Sequence, residues 1–102
     1  MSSAASALRD DPLRSERLAE VLKALAHPLR LRLVAALAVE SQHVNQVADA
    51  VGAPQAIVSQ QLRILRLAGL VRQVRQGGGA VYHLAEPRLQ DLLGCLSACG
   101  RS

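Results

Sequence analysis

Residues 44–69 read VNQVADAVGAPQAIVSQQLRILRLAG. Two short helical patterns meet in this stretch across a glycine. Val44, Val47, Ala48 and Val51 share the spacing that lines one face of a helix of about two turns. Gly52 closes it, because glycine accepts the left-handed conformation that commonly ends a helix. After the tight connection Gly52-Ala53, Pro54 begins a second helix, with Val58, Leu62 and Leu65 on its inner side and Gly69 as its stop. Two short helices joined by a few residues containing glycine are the mark of a helix-turn-helix.

The flanks extend this reading. Downstream, Val71 and Val74, then Val81 and Leu84, predict two strands joined across Gln76-Gly77-Gly78-Gly79. Pro87 opens a last helix with Leu89, Leu92, Leu93 and Leu96 as its stripe. Upstream, residues 1–12 show no periodicity and read as a mobile tail. Ser15 then offers an N-cap to a helix carrying Leu18, Val21, Leu22 and Leu25, which ends at His27-Pro28 because the residue before proline avoids the helical region. Pro28 starts another helix, with Leu29, Leu33, Val34 and Leu37, to about Glu40. Ser41-Gln42-His43 is a polar break. The order is helix, helix, helix, helix, hairpin, helix. The predicted fold is mainly α with a β-hairpin wing, a winged helix-turn-helix. Residues 1–14 form a flexible tail and residues 15–102 one DNA-binding and dimerisation domain.

Composition fits such a domain. The 102 residues are half apolar, yet Tyr82 is the sole aromatic, so Leu, Val, Ile and Ala must build the core. A chain of this size gains from sharing a core with a second copy. The net charge of +4 is lopsided: the first 50 residues balance, and all the excess lies in the remainder. No acid occurs between Asp49 and Glu86, whereas Arg63, Arg66, Arg72 and Arg75 do. A basic half of this kind suits a polyanion. No run of about 18 apolar residues exists, so no membrane span is expected. The N-terminus lacks the pattern of a secretory signal, so a cytoplasmic location is expected, where thiols stay reduced.

At about 100° per residue, Ala56, Ser59, Gln60 and Arg63 share the outer side of the helix after Pro54, with Gln55 and Arg66 at its edge. This side holds no acid and no bulky hydrophobe. Gln can bond adenine through two atoms, Arg can bond guanine, and Ser reaches a phosphate or a base edge. Arg72 and Arg75 on the wing are expected at phosphates or the minor groove. The candidate DNA contacts are therefore Gln55, Ala56, Ser59, Gln60, Arg63, Arg72 and Arg75.

Three segments resemble the ArsR/SmtB family of bacterial repressors. LKALAHPLRLRLV (22–34) is similar to the family's opening, VSQQLRILRLAGLV (58–71) to its recognition helix and the turn into the wing, and AVYHL (80–84) to its second wing strand. The resemblance implies a homodimer through the first and last helices, bound to a palindromic double-stranded operator until an inducer lowers its affinity. It also shows departures. Where many metal-sensing members carry Cys-Val-Cys, this chain has His43-Val44-Asn45. Members that bind zinc through Asp and His pairs on the last helix are matched by Asp91 with no His. Members that pair thiols between the second and last helices are matched by Ala35 in the second.

The two cysteines, Cys95 and Cys99, sit four apart on one side of the last helix. They read either as small apolar side chains at a dimer seam or as a thiol sensor. As a sensor they could hold As(III) or Zn, or act as a redox pair. A trivalent metalloid takes three sulfurs, so the third would come from the partner or a small thiol. Zinc takes about four ligands, so it would need the second chain, or His83 or His43. No cofactor is otherwise required. No residue set suggests an enzyme: there is no Ser-His-Asp arrangement, and Gly77-Gly78-Gly79 lacks the Lys and helix start of a phosphate loop. A winged helix used for protein contacts would want an apolar or acidic recognition face. A repressor with structural cysteines and no ligand of its own stands as the alternative.

Overall fold

The computed structural model describes residues 3–99. Six helices and three short strands follow one another: α1 (Ser3–Asp10), α2 (Pro12–Leu25), α3 (Pro28–Val39), β1 (Gln42–His43), α4 (Val44–Val51), α5 (Gln55–Leu67), β2 (Val71–Gln76), β3 (Gly79–Leu84) and α6 (Leu89–Cys99). The helix-turn-helix is α4–α5, and β2–β3 is the wing.

The N-terminal segment differs from the expected tail. Residues 3–10 are helical, and Met1 and Ser2 lie outside the described residues. Ala4, Ala5, Ala7 and Leu8 are strong helix formers. Helix α2 starts earlier than Ser15 because Asp11-Pro12 is a cap followed by a first-turn proline: the Asp11 carboxylate accepts the Arg14 N–H at 3.1 Å. The Ser15 hydroxyl instead donates to the Leu8 carbonyl, tying α1 to α2.

Two further differences come from local hydrogen bonding. The polar break at 41–43 contains β1, which pairs antiparallel with β3 through Gln42–Tyr82 and His43–Val81. The sheet order is thus β1-β3-β2. Helix α6 begins at Leu89, two residues after Pro87. The Glu86 carboxylate accepts the Arg88 N–H at 3.1 Å and takes a two-pronged bond from its guanidinium, so Glu86-Pro87-Arg88 forms the turn that leads into the helix. These bonds, side chain first, hold the Glu86 carboxyl down at about 2.

Pro54 is the extended N-cap of α5, which begins at Gln55 rather than at Pro54 itself, while the glycines stand where expected. Gly52 (φ 66°) ends α4 and Gly69 (φ 80°) follows α5, both in the left-handed region. Gly77 and Gly78, at φ 59° and 80°, make the two-residue turn of the wing, where both positions need positive φ. The core is aliphatic. Leu33 and Val34 of α3, Val47 of α4, and Val58, Leu62 and Leu65 of α5 are fully buried, with Val71, Tyr82 and Leu89 packed around them. No described helix is long and apolar enough to cross a membrane.

Candidate nucleic-acid interface

Helix α5 is pinned by its inner side, which decides what it shows to solvent. With Val58, Leu62 and Leu65 buried, Gln55, Ala56, Ser59, Gln60 and Arg63 are all exposed together, and Arg66 beside them. Among the described residues, the guanidiniums of Arg63, Arg66, Arg72 and Arg75 make no ion pair with a carboxylate. Their charge is therefore available to a phosphate backbone.

The border of this face is more apolar than expected. Ile57, Ile64 and Leu67 are exposed along the helix beside Gln60, and Leu67 is 72% exposed. At about 100° per residue Ile57, Gln60, Ile64 and Leu67 fall in one strip, so the sequence carried the signal. An isoleucine at such a border can meet a thymine methyl group.

The two wing arginines are not brought together. Arg72 and Arg75 are three apart on β2, so they point to opposite faces of the hairpin. Arg75 sits next to the tip, paired with Ala80. Arg72 sits at the base, paired with His83, in a hollow with Glu40 and Ser41 at the end of α3. The wing is rigidly based. Gln73 donates to the Tyr82 hydroxyl at 3.1 Å across the strands, and His83 Nδ1 shares a 2.6 Å hydrogen bond with the Ser41 hydroxyl.

Neither histidine considered as a metal ligand joins the thiols in a gathered site. His43 donates its backbone N–H to Gln46 at 2.9 Å, starting α4, and its ring lies over Gly79 of the wing. Among the described residues, no group of three or more His, Cys, Asp or Glu could hold a metal ion. Cys95 and Cys99 are free and exposed on α6. They do not join the core of their own chain, so packing as small hydrophobes would require a second chain. Leu13, Leu18 and Leu22 of α2 and Leu96 of α6 are also exposed, whereas Leu25 and Leu89 are buried and Val21, Leu92 and Leu93 pack half-buried against the core, so this chain alone leaves one edge of each apolar stripe uncovered.

Comparison with known proteins places this arrangement. A family model described as bacterial regulatory protein, arsR family, matches residues 27–73. The chain is 39% identical over 74 residues to the HTH-type transcriptional repressor SmtB of Mycobacterium tuberculosis, covering 72% of this chain. It spans 55% of that repressor's length. The fold is similar to the crystal structure of the transcriptional repressor BigR from Xylella fastidiosa, with TM-score 0.82, 32% identity, and coverage of 92% of this chain and 96% of that one. It is also similar, at TM-score 0.74 and 29% identity, to the homodimeric winged helix-turn-helix DNA-binding domain of Mb0332 from Mycobacterium bovis, covering 97% of this chain and 86% of that fragment.

Proposed function

The chain belongs to the ArsR family of bacterial regulatory proteins, and on that premise we propose that it is a transcriptional repressor that binds a palindromic DNA operator as a homodimer. The observation that carries this is the exposed, acid-free face of α5 with its unpaired arginines. Gln55, Ala56, Ser59, Gln60 and Arg63 read base edges in the major groove, and the wing follows the backbone. The exposed leucines of α2 and α6 meet those of the second protomer, which covers apolar surface that one protomer leaves in water. Arg63→Ala should weaken binding to the chain's own promoter by about 1–3 kcal/mol if Arg63 reads a base. An equal effect on random DNA would make Arg63 a phosphate contact, and binding insensitive to salt would count against DNA recognition altogether.

The inducer acts, in this reading, at Cys95 and Cys99. Both thiols are exposed, lie one helical turn apart, and flank the exposed Leu96 on a helix whose other leucines pack into the core. A soft metalloid or metal, or a reactive sulfur species or oxidant, would engage them. One chain supplies two sulfurs, so a complete arsenite or zinc site draws its remaining ligands from the partner or a small thiol. Engagement shifts α6, changes the angle between protomers and misplaces the recognition helices, a coupling of about 1–3 kcal/mol. Fluorescence anisotropy on promoter DNA, with arsenite, zinc and a persulfide donor titrated in turn, tests this. Release by one of them, abolished in the Cys95→Ser, Cys99→Ser double variant, supports the sensor. Binding unmoved by all three would favour a repressor with structural cysteines.

A further inference from the structure

Pro28 creates a problem at the end of α2. The Ala24 carbonyl would ordinarily accept the N–H four residues on, but that residue is a proline and has none. Ala24 is a buried residue, where a backbone carbonyl is ordinarily paired. The neighbouring Lys23 and Leu25 carbonyls accept the Ala26 and His27 N–H groups. Ala24 is served instead by Arg30, whose Nε donates to its oxygen at 2.6 Å. A second nitrogen of the same guanidinium donates to Gln61 Oε1 at 2.9 Å, on α5. One planar cation thus joins the last turn of α2, the first turn of α3 and the middle of α5. Gln61 lies on the side of α5 away from the base-reading residues, so neither partner needs to touch DNA.

We propose that Arg30 is a positioning residue for DNA recognition. Resting on the DNA-binding reading above, it fixes the pitch of α5 against α2. Because α2 carries the uncovered leucines and α5 the base-reading side chains, the Arg30–Gln61 bond sets how the recognition helix stands relative to the dimer seam. Lysine cannot substitute. Its single ammonium is a point charge without the rigid fork that reaches two acceptors on different elements.

The test uses the full chain and a duplex selected by the wild type from a randomised pool, beside a scrambled duplex of equal composition. Arg30→Lys and Gln61→Met should each weaken binding to the selected duplex by about 10-fold, the value of one charge-assisted hydrogen bond. Binding to the scrambled duplex should stay within about 2-fold, because the phosphate-binding charges are untouched. The double variant should bind no more weakly than either single one, since both act through the same bond. Gln61→Met keeps the side-chain length and helix propensity, so it answers the question even where Arg30→Lys melts early. Effects that multiply, effects equal on both duplexes, or no effect would overturn the positioning role while leaving DNA binding intact. A wild type that enriches no sequence would overturn the DNA-binding reading and this inference with it.

Discussion

Replacing Arg75 by Ala should change how steeply DNA binding responds to salt, and replacing Arg72 should change it less. The reason is their placement: Arg75 is beside the exposed wing tip, whereas Arg72 is at the base on the opposite face, next to His83 and the end of α3. Removing one cation that neutralises a phosphate lowers the slope of log K against log salt by about 0.9 on B-form DNA. A homodimer presents Arg75 twice, so Arg75→Ala should flatten the slope by about 1.8. Between roughly 50 and 200 mM salt, a fourfold change, the affinity gap between wild type and variant should therefore narrow by about 12-fold. Fluorescence anisotropy at a series of potassium chloride concentrations gives both slopes directly. A change near 0.9 would mean that one wing engages at a time. Equal changes for Arg72→Ala and Arg75→Ala, or none for Arg75→Ala, would refute the placement argument.

Other consequences can be measured separately. Leu62→Ala, at a fully buried position on the inner side of α5, should destabilise the fold by about 2–5 kcal/mol, read from the urea midpoint at fixed protein concentration with an unchanged m-value. Leu22→Glu should place a charge on the uncovered edge of the α2 stripe and convert a dimer to the 10.8 kDa chain in sedimentation equilibrium, with helical content retained. The Glu86 carboxyl should titrate at about 2 by NMR rather than at the ordinary 4.5, because Arg88 bonds its charged form. A depressed carboxylate contributes stability that is whole above the ordinary value, so this contribution should fade as pH falls from 4.5 towards 2 and vanish in Arg88→Ala.

The helix-turn-helix was legible because its signals are local and repeated. Val44 to Val51 and Val58 to Leu65 keep helical period, and Gly52 and Gly69 sit where positive φ is needed. The two-residue strand β1 was not, since two residues cannot show alternation and its pairing depends on Tyr82 and Val81 about forty residues away. Helix α1 was hidden by its shortness: eight residues whose apolar side is built of alanines and the single Leu8 give a weak periodic signal, although the alanines favour helix. The opposed faces of Arg72 and Arg75 could have been read from their odd spacing. The reach of Arg30 to Gln61 could not, because it depends on how α3 docks against α5. The orphaned Ala24 carbonyl, by contrast, is written in the four-residue spacing from Ala24 to Pro28.

Because β1 clamps β3 at its middle, at Val81 and Tyr82, and the His43 ring lies over Gly79, while Gly77 and Gly78 turn in open solvent, the hairpin is held up to the start of its turn and only the turn is free. Its length is open to evolutionary adjustment. One residue added to each strand at the tip would extend the arm by about 3.3 Å without moving the root, and a second pair would do so again. Each single pair would also turn the side chains at the new tip to alternate faces, so the arm could probe the near or the far wall of a groove by growing in odd or even steps. Relatives differing only in hairpin length could in this way recognise differently shaped DNA with an unchanged recognition helix.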